Sequence, residues 1–300
     1  MRLLVLMVAS LLSAWTVASA RAAEVRCEPG TYGHFSLAQD SGSYIRRWPS
    51  GVRPTQNTCV DGLIYGPIEQ GDYEKVRAFY RQNHPFLSAF TLASPGGSVL
   101  EAFKIGQLFR KYLITVFAPV RVTSADGRER FILAGEPECD SGRCICASAC
   151  ALIWFGAVDH WGTVGLHRLH TDDPSFKALD PPAAAEAYRR VLDSIRRYLD
   201  EMEVPKPMIE AMVATGSADI KWVTVASDLS RPPSLAEWED ATCGTFSDQE
   251  RAVLSQLHEK GSNATKREQS LRDKLQNKQS QRIRCQVELL SSRRDKLPPP

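Results

Sequence analysis

Two hydrophobic periods alternate along the first half of this chain. Between Asp72 and Gln82, apolar positions Tyr73, Val76, Phe79 and Tyr80 recur three and four residues apart, the spacing of one helix face. Val99 to Tyr112 repeats the pattern with Val99, Ala102, Phe103, Ile105, Gly106 and Phe109. Between and around these segments lie short, unbroken apolar runs: Leu63 to Ile68, Phe86 to Ala93 and Leu113 to Ala118. Runs of that length, bounded by turn residues, predict strands buried on both faces. Strand, helix, strand, helix, strand in that order predicts an α/β fold with a mostly parallel sheet and crossover helices.

Val120 to Arg143 interrupts the alternation. Asp126-Gly127 between two β-prone runs predicts an inserted hairpin. An apolar run from Ala151 to Val158 follows, and Thr163 to His170 reads as a strand carrying His167. Pro181-Pro182 opens a long helix to Met202, with Tyr188, Val191, Leu192, Ile195, Tyr198, Leu199 and Met202 on one face. Pro205 and Pro207 end it, Met208 to Thr215 predicts a short helix, and Ile220 to Val225 is β-prone. Arg231 to Thr245 carries two prolines and Cys243. From Glu250 to Lys296 the chain is polar, with twelve Lys/Arg against six Asp/Glu and a thin stripe of Leu254, Leu257, Leu271 and Leu275. That composition predicts a loosely packed helical tail, tied back by Cys285.

The N-terminus changes the compartment expected. Arg2, the apolar Leu3 to Val17 and the small residues Ala18-Ser19-Ala20 have the layout of a secretory signal peptide. An uncleaved anchor is the competing reading, and no later run is long and apolar enough to span a bilayer. The expected layout is thus a leader over residues 1–23, a polar arm over 24–58, a main domain over 59–230 and a tail over 231–300. All eight cysteines lie after the leader. In an oxidising compartment an even number pairs. Chain order suggests Cys27 with Cys59 and Cys243 with Cys285. It leaves Cys139, Cys144, Cys146 and Cys150 to pair among themselves in one of three ways. Zinc ligation by that cluster is the alternative, but its spacings are not those of a ribbon or finger. A net charge of +2 over 300 residues offers no whole-protein argument for nucleic acid.

The chemistry concentrates between Cys144 and His170. Ser148 stands between Ala147 and Ala149, inside a frame made by Cys146 and Cys150, at the mouth of an apolar helix. Small neighbours admit a substrate backbone, and the helix N-terminus offers N–H groups to an oxyanion. His167 on the next strand makes a nucleophile–base pair with it. The plainer reading of the same residues is an N-cap serine and a structural histidine. A second stretch, Ser94-Pro95-Gly96-Gly97-Ser98-Val99, follows an apolar run and precedes a helical pattern, where adjacent glycines present bare N–H groups.

Taken in order, Gly66 to Ile68, Ser94 to Val99, the Ser148 segment and Gly165 to Arg168 resemble the Clp protease/crotonase-like superfamily. The chain is most similar to exported Clp-protease-like periplasmic proteins of bacteria. The resemblance spans about Gly62 to Leu229. It implies a spiral of ββα units, a peptide or ester substrate, and no metal or organic cofactor. It implies an oxyanion site from Gly96, Gly97 and Ala149, and a third catalytic residue at Asp219, with Asp172 or Asp173 as alternatives. It also implies that the Pro181 to Met202 helix is an oligomer-forming handle, unless its apolar face serves the chain's own core. His160 and His170 are weaker candidates for the base. A groove that binds peptides without cleaving them is the competing function. Crotonase-type acyl-CoA chemistry is disfavoured by the leader, because CoA esters are cytoplasmic.

Overall fold

The computed structural model describes residues 22–27, 59–84, 86–133, 144–168, 178–224 and 235–294. In chain order they form β1 (Glu24–Cys27), β2 (Asp61–Tyr65), α1 (Asp72–Asn83), β3 (Ala89–Ala93), α2 (Val99–Tyr112), β4 (Thr115–Phe117), β5 (Val120–Thr123) and β6 (Glu129–Ile132). There follow α3 (Ala149–Gly156), β7 (Asp159–Trp161), β8 (Thr163–Leu166), α4 (Pro181–Glu201), α5 (Lys206–Ala214), β9 (Lys221–Thr224), α6 (Leu235–Cys243), α7 (Asp248–Lys260) and α8 (Lys266–Arg294).

The central sheet has the order β1-β2-β3-β4-β7. β2, β3, β4 and β7 run parallel, with Asp61 opposite Ala89, Ala89 opposite Thr115 and Thr115 opposite Asp159. Each parallel step needs a crossover, and α1, α2 and α3 supply them. Every residue of β3 and all of β2 but Tyr65 is buried, which is why these strands read as unbroken apolar runs. The result is a mixed α/β fold built on a parallel sheet.

Three elements differ from the expectation. Glu24–Cys27, the start of the expected arm, pairs as an antiparallel edge strand on β2. Asp159–Trp161 joins the sheet as its far edge, although Asp159 and His160 are polar; both are buried. His167 stands one residue past β8, so its strand ends earlier than the sequence suggests. The expected leader, save Ala22 and Ala23, and the rest of the arm lie outside the described residues. The inserted hairpin is β5–β6, turning at Ser124 to Arg128.

Helix α3 is the hub of the core. All eight of its residues are buried, so it has no polar face to offer solvent. It meets α2 backbone to backbone: a Cβ on Gly156 would overlap the Cα of Gly106. α4 closes over the same contact. The Tyr198 hydroxyl donates to the Leu152 carbonyl at 2.7 Å, and its ring stacks on Phe103 at 4.4 Å. Burial pushes the Tyr198 phenol well above its ordinary range, so it stays a donor. Ile195, Leu199 and Met202 are buried in the same core. The C-terminal half of the handle-like helix therefore serves this chain's own interior. Its N-terminal half, from Pro181 to Arg190, is exposed or half-buried.

The C-terminal helices are joined to the body by Leu235 and Trp238, which pack on Leu113 and Val158. Their own core is small: Phe246, Leu254, Leu257 and Leu275. α7 starts with a capping box in which Ser247 and Glu250 satisfy each other's N–H groups. Cys27–Cys59, Cys146–Cys150 and Cys243–Cys285 lie at disulfide distance. Cys144 is also disulfide-bonded, and Cys139 lies outside the described residues. Among the described residues no helix is long and apolar enough to cross a membrane.

Candidate functional site

Ser148 sits where an extended segment turns into α3. The segment is held on both sides. Ala147 N–H donates to Ser94 O at 3.1 Å, Ser148 N–H to Gly165 O at 3.0 Å, and Gly165 N–H to Cys146 O at 2.8 Å. It thus bridges the end of β3 to β8 in parallel fashion. Ser148 itself adopts φ 59° and ψ −125°, a positive φ that is costly for a non-glycine residue, of order 1–3 kcal/mol. The flanking bonds and the Cys146–Cys150 bridge hold it there. The turn leaves the serine half-buried, and its hydroxyl takes no hydrogen bond among the described residues.

The glycine loop lies directly beside it. Ser94 Oγ accepts from Gly96 N–H at 3.1 Å. Ile68 N–H donates to Gly96 O at 2.8 Å, and Ser98 N–H to Ile68 O at 2.7 Å. These bonds clamp Gly97 against Ile68. Gly96 and Gly97 have φ 109° and 134°, and no side chain fits at either. A Cβ on Gly96 would come 2.5 Å from Ser148 Cβ, and one on Gly97 would overlap the Ile68 carbonyl. The loop therefore approaches the serine as closely as backbone allows. Among the described residues, neither the N–H of Gly97 nor that of Ala149 meets an acceptor. Ala149, with its N–H bare, and Ser148, with its hydroxyl unbonded, line the same groove.

His167 lines the same groove as Ser148. Its Nδ1 lies 2.8 Å from the carbonyl of Arg168. A carbonyl only accepts, so Nδ1 carries the proton and, in the neutral ring, Nε2 is left with its lone pair. Arg168 N–H in turn donates to Thr215 O at 3.0 Å, which fixes the carbonyl's position. The groove is open, about 460 Å³ with solvent included. Its walls are Leu152 from α3, Leu192, Ile195 and Leu199 from α4, and Met212 and Val213 from α5.

The other candidates fall elsewhere. Asp219 is exposed, caps its own turn through a bond from its N–H to Gly216 O at 3.1 Å, and does not line the groove. It makes no hydrogen bond to His167. His160 is buried in β7 with its ring 4.0 Å from that of Trp154, a packing position. His170, Asp172 and Asp173 lie outside the described residues. Among the described residues no group of three or more His, Cys, Asp or Glu is arranged to hold a metal.

The sequence reading missed the groove walls and the pin at Ser94. The walls come from two helices far along the chain, and nothing in their periodicity says which turn faces Ser148. Ser94 did carry a signal, as the first residue of the glycine stretch.

Behind the loop, Glu101 supports the frame. Its carboxylate accepts from the N–H groups of Gly71 and Tyr73 at 3.1 and 2.9 Å, capping α1 from the first turn of α2, and from Lys104 at 2.8 Å. Burial alone would raise its pKa. The lysine and the two backbone donors outweigh burial and hold it below the ordinary carboxylate range.

No protein-family model matches the chain. No curated protein matches it either. Among solved structures it is similar to a ClpP1 point mutant from Listeria monocytogenes, at 17% identity and a TM-score of 0.34, covering 54% of this chain and 81% of that one. At that TM-score the likeness carries no argument about the site.

Proposed function

We propose that this protein is a serine hydrolase that transfers an acyl group to water, with a peptide or ester as substrate. The observation that carries the reading is the unbonded Ser148 hydroxyl in one groove with His167 and Ala149, with the Gly96-Gly97 loop packed against the serine. Ser148 Oγ attacks the carbonyl carbon while His167 Nε2 takes the hydroxyl proton. The oxyanion that forms accepts from Gly97 and Ala149. Collapse breaks the bond to the leaving amine or alcohol, which takes the proton from His167. Water then repeats the sequence and frees Ser148.

In this reading the Arg168 carbonyl holds the imidazole in place, the part that Asp219 was expected to play. The sheet and crossovers belong to a Clp-like spiral. The Met1 to Ala23 leader and the disulfide pairs support a periplasmic or secreted protein. The exposed first half of α4 is the surface for a homo-oligomer.

A fluorophosphonate probe tests the nucleophile. Labelling at Ser148 in the wild type, absent in Ser148→Ala and in His167→Ala, is the expected result. One observation favours a second reading, a groove that binds peptides without cleaving them: no carboxylate among the described residues bonds to His167. An unlabelled wild type that still binds peptide would establish that reading and remove the first.

A further inference from the structure

Among the described residues, the groove beside Ser148 carries two cations and no anion. Arg168 and Arg196 line it, together with His167 and otherwise apolar or small residues; among the described residues no Asp or Glu lines it. Arg168 is exposed, and among the described residues its guanidinium has no acidic partner. Arg196 reaches Asp193 one turn back on α4 at 3.6 Å, with both side chains about half exposed, 50% and 57%. An i,i+3 pair that open is weak and salt-screened, so the guanidinium remains available to a ligand. The two arginines come from different elements, one following His167 and one on α4 beside Leu192 and Ile195. A bare apolar groove would accept any side chain of suitable size. This one couples an apolar wall to two fork-shaped donors that match a carboxylate.

We infer that the substrate carries a carboxylate next to an apolar side chain, and that Arg168 and Arg196 select it. This inference rests on the hydrolase reading of the same groove and adds the substrate class. The carboxylate has two possible sources: an acidic residue within a peptide, or the peptide's own C-terminus. Charge-assisted hydrogen bonds at a solvent-exposed site correspond to a preference of about fivefold to tenfold.

The experiment uses heptapeptides with one central leucine flanked by Glu, Gln or Lys, each with a free or an amidated C-terminus. Hydrolysis by the full chain is followed by kcat/KM, and binding to Ser148→Ala by calorimetry. The wild type is expected to prefer glutamate over glutamine peptides, or free over amidated termini, by that factor. Which of the two contrasts carries the preference identifies the source of the carboxylate. Arg168→Gln and Arg196→Gln are each expected to shrink the ratio towards one. Arg168→Glu is expected to turn it towards the lysine peptide, an inversion that a merely structural arginine would not produce. Equal kcat/KM across the whole series in an active wild type overturns the inference and leaves the hydrolase standing. If Ser148 takes no fluorophosphonate, the hydrolase reading fails and calorimetry decides alone. Tighter binding of the carboxylate-bearing peptides, lost in the arginine variants, upholds the inference; undetectable or indifferent binding overturns it.

Discussion

Helix α3 has eight residues, all buried; α8 has 29, of which Leu275 alone is buried among the described side chains. An isolated eight-residue segment is too short to hold a helix in water. α3 exists because α2, α4 and the sheet remove its apolar surface from solvent, at about 1.5–3 kcal/mol for each large side chain. α8 depends on the opposite means. It is long and rich in good helix formers, and it reaches its neighbours mainly through polar contacts. Lys278 pairs with Glu250, Arg282 with Asp240, and Gln286 donates to Glu239 at 2.7 Å. The lesson concerns the site. Ser148 opens α3, so its strained turn is held by the best-packed part of the molecule. Among the described residues the C-terminal helices contribute nothing to the groove walls; a small cluster joins them to the body, and one disulfide ties them to each other.

The contrast is sharpest at glycine. Gly156→Leu must separate α2 from α3 and should leave little folded protein, a loss above about 3 kcal/mol. Gly261 has φ 50° and nothing within 4 Å of a built Cβ, so Gly261→Leu should cost only about 1–2 kcal/mol, from strain alone. Urea midpoints measure both, and equal losses would break the comparison. Next in size is the double variant Cys243→Ser, Cys285→Ser. It opens a 42-residue loop, worth about 2–4 kcal/mol to the C-terminal helices. Limited proteolysis should then cut between residues 244 and 284 while the body stays intact. Cleavage spread evenly through both regions would mean that they unfold as one.

Tyr198→Phe removes the second donor to Leu152 O, a carbonyl that keeps its place in the α3 helix, with an expected loss of about 0.5–1.5 kcal/mol and an unchanged m-value. The smallest effect is on acid titration. Lys260 and the backbone and hydroxyl of Thr265 hold Glu268 down to about 2. A folded pKa below the unfolded value contributes stability above the ordinary carboxylate range, lost as pH falls from about 4.5 towards 2. Glu101 follows the same sign in the body. Because the Glu268 contacts are exposed, 1 M salt should erase its contribution and spare the buried core. Circular dichroism against pH, with and without salt, reads this, and a salt-insensitive curve counts against it.

Local periodicity was enough for α2, whose limits at Val99 and Tyr112 follow from its apolar stripe and the Ser98 cap. It was enough for the Asp126-Gly127 hairpin and for the parallel sheet, since apolar runs between amphipathic helices have few other ways to bury both faces. The stretches around Gly96 and Ser148 were legible as candidates because glycine pairs and small residues mark close backbone approach. Chain order also suggested Cys27 with Cys59 and Cys243 with Cys285, the pairs found at disulfide distance. Only the tertiary structure decided the rest. Glu24–Cys27 and Asp159–Trp161 are strands because β2 and β4 present open edges to them, which no local pattern records. Arg168 and Arg196 line one groove with Ser148 because α4 is locked onto α3, among other contacts by the Tyr198 bond between residues 46 positions apart. Side-chain spacing reports the face a residue lies on, whereas the neighbour across that face is selected by packing over the whole chain.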